Sequence, residues 1–272
     1  MTPDEDQQLR TLGDALEIVP DWVRLTGSPT GQQPVPGSDL AYDDRRAHPY
    51  QVSHAAWAAM LAAVSHLACL RESLFHWTGS DQVEARIHTH GQFSLVRGAL
   101  ENASRAVWML EPDDPDERLL RRLQLEWKES CQQDSVRDLM GALMGGPRKS
   151  TKDRLEGLTA LLPPATTDPD KIKSKHRAIK NGPDYVIIVK AAGKHVPSGS
   201  SQHLVIWRAC SALAHGDYRG TMGYTAREVH PGPTLGIALA QVTGSVPLLT
   251  IGSLVAIQTM KVALRLYGKR AA

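Results

Sequence analysis

The feature that most constrains this chain is a succession of long apolar stripes at helical spacing, separated by short breaks. Over residues 50 to 78, Ala56, Ala59, Met60, Ala63, Val64, Leu67, Leu70, Leu74 and Trp77 recur every three or four positions. That period sets them on one broad helix face, and the alanines let a neighbouring helix come close. Thr78-Gly79-Ser80-Asp81 is a stop followed by a fresh N-cap, with Glu84 three residues beyond Asp81 as in a capping box. This predicts a second long helix over 82–110, closed by Glu111-Pro112. Pro115 and Asp116 open a third over 116–144, with Leu119, Leu120, Leu123, Trp127, Val136, Leu139, Met140 and Leu143 as its apolar set. Stripes of this length, joined by short turns, must be buried against one another. The expected fold is an all-α multi-helix bundle with long antiparallel helices.

The flanks are shorter pieces. Residues 5–18 predict a short helix through Leu9, Leu12, Leu16 and Ile18, and residues 26–49, rich in Gly, Pro, Ser and Asp, predict an irregular connection. We therefore expect residues 1–49 to form an N-terminal extension and 50–272 to form the bundle domain. Further helices are predicted over 150–162, stopped by Pro163-Pro164, and over 168–180. Asp184 caps a segment through Lys194 that fits either a helix or a strand. A helix follows from Ser200 to His215, with Ser200 or Ser201 as its cap. After Gly216 the pattern changes, and Met222–Val229 and Thr234–Val242 flank His230-Pro231-Gly232-Pro233 as a small β-hairpin over 222–242. A last helix is predicted over 246–267.

Composition limits what such a bundle can do. With a net charge of +2, a nucleic-acid surface would have to be a local patch. Cys69, Cys131 and Cys210 lie far apart, which predicts three buried free thiols in a reducing cytoplasm, with no disulfide-linked partner and no structural zinc. The acidic N-terminus is not a signal peptide, and a cytoplasmic location is expected. Residues 231–260 carry no charge, but Gly and Pro divide them. The part that follows Pro247, Leu248 to Met260, is shorter than the roughly 20 residues a bilayer requires, so no membrane partner is expected. His88 and His90 would lie on different helix faces, so no metal is expected. No HExxH, P-loop, GxGxxG or GxSxG pattern occurs, and no cofactor is expected.

Chemistry concentrates on the Ser200–His215 helix. Arg208, Ser211 and His215 are spaced i, i+3, i+7, which stacks them on one face at about 100° per residue. An arginine there can hold phosphate oxygens, and a histidine can exchange a proton near neutral pH. Gly216, next in the chain, marks a helix C-terminus. The same residues also suit a plainer role, a histidine capping the last turn and an arginine bridging across the bundle. On the 82–110 helix, Arg97, Glu101 and Arg105 follow at i, i+4, i+8, which predicts an ion-pair ladder or a carboxylate, Glu101, that orients Arg208 or His215. Between 148 and 180 lies a basic run: Arg148, Lys149, Lys152, Lys171, Lys173 and Lys175 could meet phosphates. Its lack of aromatic residues makes it an electrostatic footprint only, or an ordinary solvated face.

Arg208, six residues and His215, inside a late helix of a helical chain, resemble the Arg-x(4–6)-His motif of HEPN domains. The resemblance covers about residues 50–216 and departs from the family at Ala209, where a polar residue is common. It implies a helical bundle, often dimeric, of the kind found in toxin and phage-defence systems. It also implies a metal-independent RNA endonuclease that uses a 2′-hydroxyl as internal nucleophile. Arg208 would bind phosphate, His215 would act as acid-base, and Ser211 and Glu101 would assist. RNA and a second copy of the chain are then the expected partners. The alternative is a non-catalytic helical binding or regulatory protein in which these residues are structural.

Overall fold

The structure is a computed structural model, and it describes residues 2–28, 33–78, 83–140 and 150–272. It is predominantly helical, as the stripes require. The elements run α1 (Pro3–Leu16), α2 (Val19–Thr26), α3 (Asp39–Ala47), α4 (Val52–Leu74), β1 (Phe75–Trp77), β2 (Val83–Ala85), α5 (Gly91–Leu110) and α6 (Pro115–Met140). After these come α7 (Thr151–Ala160), α8 (Pro169–Lys180), α9 (Tyr185–Ala192), α10 (Gly199–Ala214), α11 (Tyr218–Tyr224), β3 (Ala226–Pro231), β4 (Ala238–Thr243) and α12 (Val246–Ala271).

Helix α5 is the axis, packing against α4, α12, α10 and α9. From Ala106 to Leu110 every side chain is buried, so its last turns have no solvent face. The alanine stripe of α4 works as its spacing implies: Ala56, Ala59, Met60, Ala63, Val64, Leu67, Leu70 and Leu74 are all buried. Gly98 of α5 faces His66 of α4. A Cβ on Gly98 would lie 2.0 Å from the His66 ring, so only glycine fits while that ring stays in place.

Several boundaries differ from the sequence expectation. The chain leaves the helix at Leu74, and Phe75–Trp77 pair antiparallel with Val83–Ala85, so the second long helix starts at Gly91 rather than at 82. The proposed capping residue Asp81, and residues 141–144 of the third helix, lie outside the described residues. The late hairpin forms, with Ala226 opposite Thr243 and Pro231 opposite Ala238, and a short helix, α11, precedes it. Segment 184–194 resolves as helix: the Asp184 carboxylate accepts from the Ile187 N–H at 3.1 Å and caps α9. Helix α10 starts at Gly199, and its N-cap is Ser198, without a side-chain hydrogen bond. Helix α12 continues to Ala271, well past residue 260. By length and composition it and α4 are each long and apolar enough to cross a membrane; in this fold both lie against α5. The three cysteines are free, but only Cys210 is buried. Cys69 is exposed and Cys131 is intermediate, so the expectation of three buried thiols does not hold.

The largest difference is at the N-terminus. Leu9, Leu12 and Leu16 of α1 and Trp22 of α2 join the same core cluster as α4, α5 and α12. Within the expected irregular stretch, residues 39–47 are helical. This helix, α3, buries Leu40, Asp43 and Ala47. Asp43 can be buried because Arg118 of α6 meets it with two N–H groups, Nε to Oδ2 at 2.5 Å and Nη2 to Oδ1 at 3.1 Å, both residues being almost wholly enclosed. The remaining Arg118 donors take the carbonyls of Pro112 at 2.9 Å and Asp113 at 2.8 Å. Arg270 of α12 does likewise for Leu110 and Glu111, and its other donors meet Asp39 and Asp113.

Removing one partner of an enclosed pair leaves a bare charge inside the protein. Asp43→Ala should therefore cost about 3–5 kcal/mol of unfolding free energy. Asp39→Ala removes a carboxylate that is 57% exposed and should cost no more than about 1 kcal/mol. Urea titrations of the two variants measure this; equal losses would show that the Asp43–Arg118 pair is not a principal tie of α3.

Candidate functional site

Three elements build the site: the start of α5, its middle turns, and the C-terminal half of α10. The loop before α5 is fixed by Gln92, whose side chain is buried. Its amide nitrogen donates to the carbonyls of Arg86 at 2.7 Å and Ser73 at 3.3 Å, and its oxygen accepts from the His88 N–H at 3.0 Å. With the loop held, His90 at the N-cap of α5 reaches the Leu213 carbonyl of α10 through Nδ1 at 2.9 Å.

Helix α10 ends where Gly216 predicts. Gly216 has φ +65°, the left-handed region that favours glycine. The Asp217 N–H returns to the Ala212 carbonyl at 3.0 Å and the Gly216 N–H to Leu213 at 3.1 Å, the paired bonds of a Schellman ending. This makes His215 the C-cap residue. Its ring is exposed, and Arg97 Nη1 donates to its Nε2 at 2.9 Å. A guanidinium has no acceptor, so in this contact the ring proton sits on Nδ1.

Arg97 is held in turn. Its Nε donates to Glu101 Oε1 at 2.7 Å, and the indole N–H of Trp207 on α10 donates to the same oxygen at 2.8 Å. The carboxylate is 14% exposed, and the two donors come from different helices. The chain Trp207–Glu101–Arg97–His215 thus ties α10 to α5 twice and presents a cation to an exposed imidazole. Glu101 is expected to orient Arg208 or His215. Its direct partners are Arg97 and Trp207, however, and it reaches His215 only through Arg97.

Arg208 is exposed on α10 and has no hydrogen bond or ion pair among the described residues. Ser211 is half-buried; its carbonyl accepts from the His215 N–H, and its hydroxyl has no partner among the described residues. The arginine that the fold brings to His215 is therefore Arg97, 118 positions away in sequence and beyond the reach of local spacing. Arg105 does not continue the ladder from Glu101; it turns to Glu129 of α6.

The basic run divides. Arg148 and Lys149 lie outside the described residues. Lys152 faces Glu156 at 3.8 Å. Lys175 fastens the turn after α7, donating to the carbonyls of Leu162 and Pro164, each at 2.6 Å. Lys171 and Lys173 are exposed, without an ion-pair partner among the described residues.

The core side of α10 holds two more reactive side chains. Cys210 is buried, which pushes its thiol up to about 12 and leaves it inert at neutral pH. His203 is also buried. Its Nε2 lies 3.3 Å from Ser104 Oγ on α5, and its Nδ1 has no partner among the described residues. Burial lowers the His203 pKa from 6.5 to about 4. Spacing does not reveal His203, because a lone histidine on a helical pattern carries no signal. Comparison with family models, with curated proteins and with solved structures finds no match for this chain.

His203 predicts an acid limit for the α5–α10 contact. The folded chain keeps this ring neutral, whereas the unfolded chain protonates it near pH 6.5. The contribution is complete above that pH and is lost as the pH falls through 6.5 towards 4. Between pH 7.5 and 5 the loss should be about 2 kcal/mol. In His203→Leu that component should vanish from the difference between unfolding curves at the two pH values; an unchanged difference would refute the assignment.

Proposed function

We propose that this chain is a HEPN-like, metal-independent RNA endonuclease whose centre is His215 with Arg97 and Arg208. The observation that carries the reading is the exposed His215 imidazole contacted at Nε2 by an arginine that Glu101 and Trp207 hold in place. In RNA, the 2′-oxygen attacks the adjacent phosphorus, the bond from phosphorus to the 5′-oxygen breaks, and a 2′,3′-cyclic phosphate and a 5′-hydroxyl result. A proton must leave the 2′-hydroxyl and another must reach the 5′-oxygen. An imidazole can perform either transfer, and guanidinium groups stabilise the charge that gathers on the phosphate oxygens. In this scheme Arg97 turns from His215 Nε2 to the phosphate when substrate arrives, which frees that nitrogen. Arg208, exposed and unpartnered among the described residues, binds a neighbouring phosphate oxygen. Lys171 and Lys173 supply further attraction at longer range.

A second reading rests on a specific observation of its own. His90, Arg97 and His215 all gather at the carbonyl end of α10, where the helix dipole favours positive charge, and His90 directly caps Leu213. In a non-catalytic binding protein the same residues would simply fasten α10 to α5.

The two readings part in one assay. Purified protein is incubated with mixed single-stranded RNA in EDTA beside Arg208→Ala, His215→Ala and Arg97→Ala, with melting temperatures measured in parallel. The nuclease reading expects cyclic-phosphate ends from the wild type and a fall of about 100-fold or more for His215→Ala. The Arg208→Ala variant should lose activity while melting as the wild type does. No cleavage by the wild type, or equal cleavage by all four proteins, would sink the nuclease and leave the structural role.

A further inference from the structure

Beside the α6 end of α5 lies an open cavity of about 500 Å³, within the range of small-molecule sites. It is walled by α5, α6 and the junction from α8 to α9. None of its polar groups belongs to the α10 centre. One wall is the indole of Trp127, a residue only 9% exposed, and another is Tyr185 at the start of α9. The Lys180 ammonium, at the last position of α8, stands 5.9 Å from the centre of the Trp127 ring. It has no carboxylate partner among the described residues.

Two more cations line the same space. Lys128 donates to the Pro183 carbonyl and likewise has no carboxylate partner among the described residues. Arg105 pairs through one terminal nitrogen with Glu129, while its enclosed Nε has no hydrogen-bond partner among the described residues. Of the two carboxylates in the lining, Asp184 is committed to the cap of α9. Glu129, whose side chain is 43% exposed, can swing away from Arg105 into water. The cavity therefore combines aromatic walls with an excess of positive charge.

We propose that this cavity binds a small flat aromatic molecule bearing one anionic group, a nucleoside monophosphate or an aromatic carboxylate. The ring lies along the Trp127 and Tyr185 walls. The anion is met by Lys180 and by the terminal nitrogens of Arg105, once Glu129 has swung away. The cation over Trp127 and the ring below it bind the two halves of one molecule, so neither half alone should bind well. This proposal does not depend on the reading of the α10 centre, since it shares no residue with it.

Titration calorimetry of the full chain tests it with four probes: AMP, indole-3-carboxylate, adenosine and inorganic phosphate. At least one of the first two should bind, and adenosine and phosphate should each bind at least about tenfold more weakly. Binding of AMP alone identifies the nucleotide source; binding of indole-3-carboxylate alone identifies the aromatic acid. Lys180→Gln replaces an exposed side chain and should melt as the wild type does while weakening the bound probe about tenfold. Arg105→Gln should weaken it similarly. Quenching of tryptophan fluorescence by the probe should be lost in Trp127→Phe. The proposal is overturned if neither AMP nor indole-3-carboxylate binds below about 5 mM, if inorganic phosphate binds as tightly as either, or if Lys180→Gln and Arg105→Gln both bind like the wild type.

Discussion

The constraint on which the rest of this structure depends is the buried end of α5. A helix leaves its last carbonyls without internal partners, and water usually satisfies them. Here residues 106–110 are enclosed on every side, so those oxygens need donors from the protein itself. Arg270 takes the carbonyl of Leu110 and Arg121 that of Trp108, while Arg270 and Arg118 cover those of Glu111, Pro112 and Asp113 just beyond the helix. Arginine suits the task because its fork carries five donors in a fixed plane. The guanidinium groups of Arg118 and Arg270 are nearly inaccessible to water; the enclosed Asp43 of α3 is the counter-charge of Arg118, and Arg270 shares the exposed Asp39 of α3 and Asp113. One buried helix end thus recruits α6, α12 and the N-terminal segment into a single polar joint.

That joint explains what is legible in the sequence and what is not. The α4 stripe is legible because its buried positions from Ala56 to Leu74 obey a local period and consist of Ala, Val, Leu and Met. Helix α3 is not, because only two of its three buried residues are apolar. The third is Asp43, whose burial depends on an arginine 75 positions later. A stretch of Gly, Pro, Ser and Asp reads as irregular when its partners are unknown. The break after Leu74 is hidden for a related reason. Phe75 and Trp77 extend the apolar pattern beyond the helix, while what ends it is pairing with Val83–Ala85 across the turn.

At the candidate site, spacing places Arg208, Ser211 and His215 on one helix and Arg97 beside Glu101 on another. Glu101 pairs with Arg97 as their i, i+4 spacing predicts, and Gly216 ends α10 in the geometry its position implies. What spacing cannot supply is the rotation of α5 against α10. That rotation puts Arg97 at His215 and Trp207 at Glu101, and leaves Arg208 in solvent. Periodicity reveals which residues share a face of one helix; contacts between helices arise from packing, which no local pattern contains.

The two roles open to the α5–α10 joint draw on one electrostatic fact. The carbonyl end of α10 attracts positive charge; His90 bonds the Leu213 carbonyl there, and Arg97 meets the ring of His215, the C-cap residue. A centre designed only for stability would bury such groups against the carbonyls, as the fold does with Arg118 and Arg270 at the end of α5. At α10 the fold leaves His215 and Arg208 exposed and fixes Arg97 from behind through Glu101. Within one molecule, then, arginine serves two helix ends in different ways, enclosed at one and held at the surface at the other. It is on the exposed arrangement that the proposed phosphate contact rests.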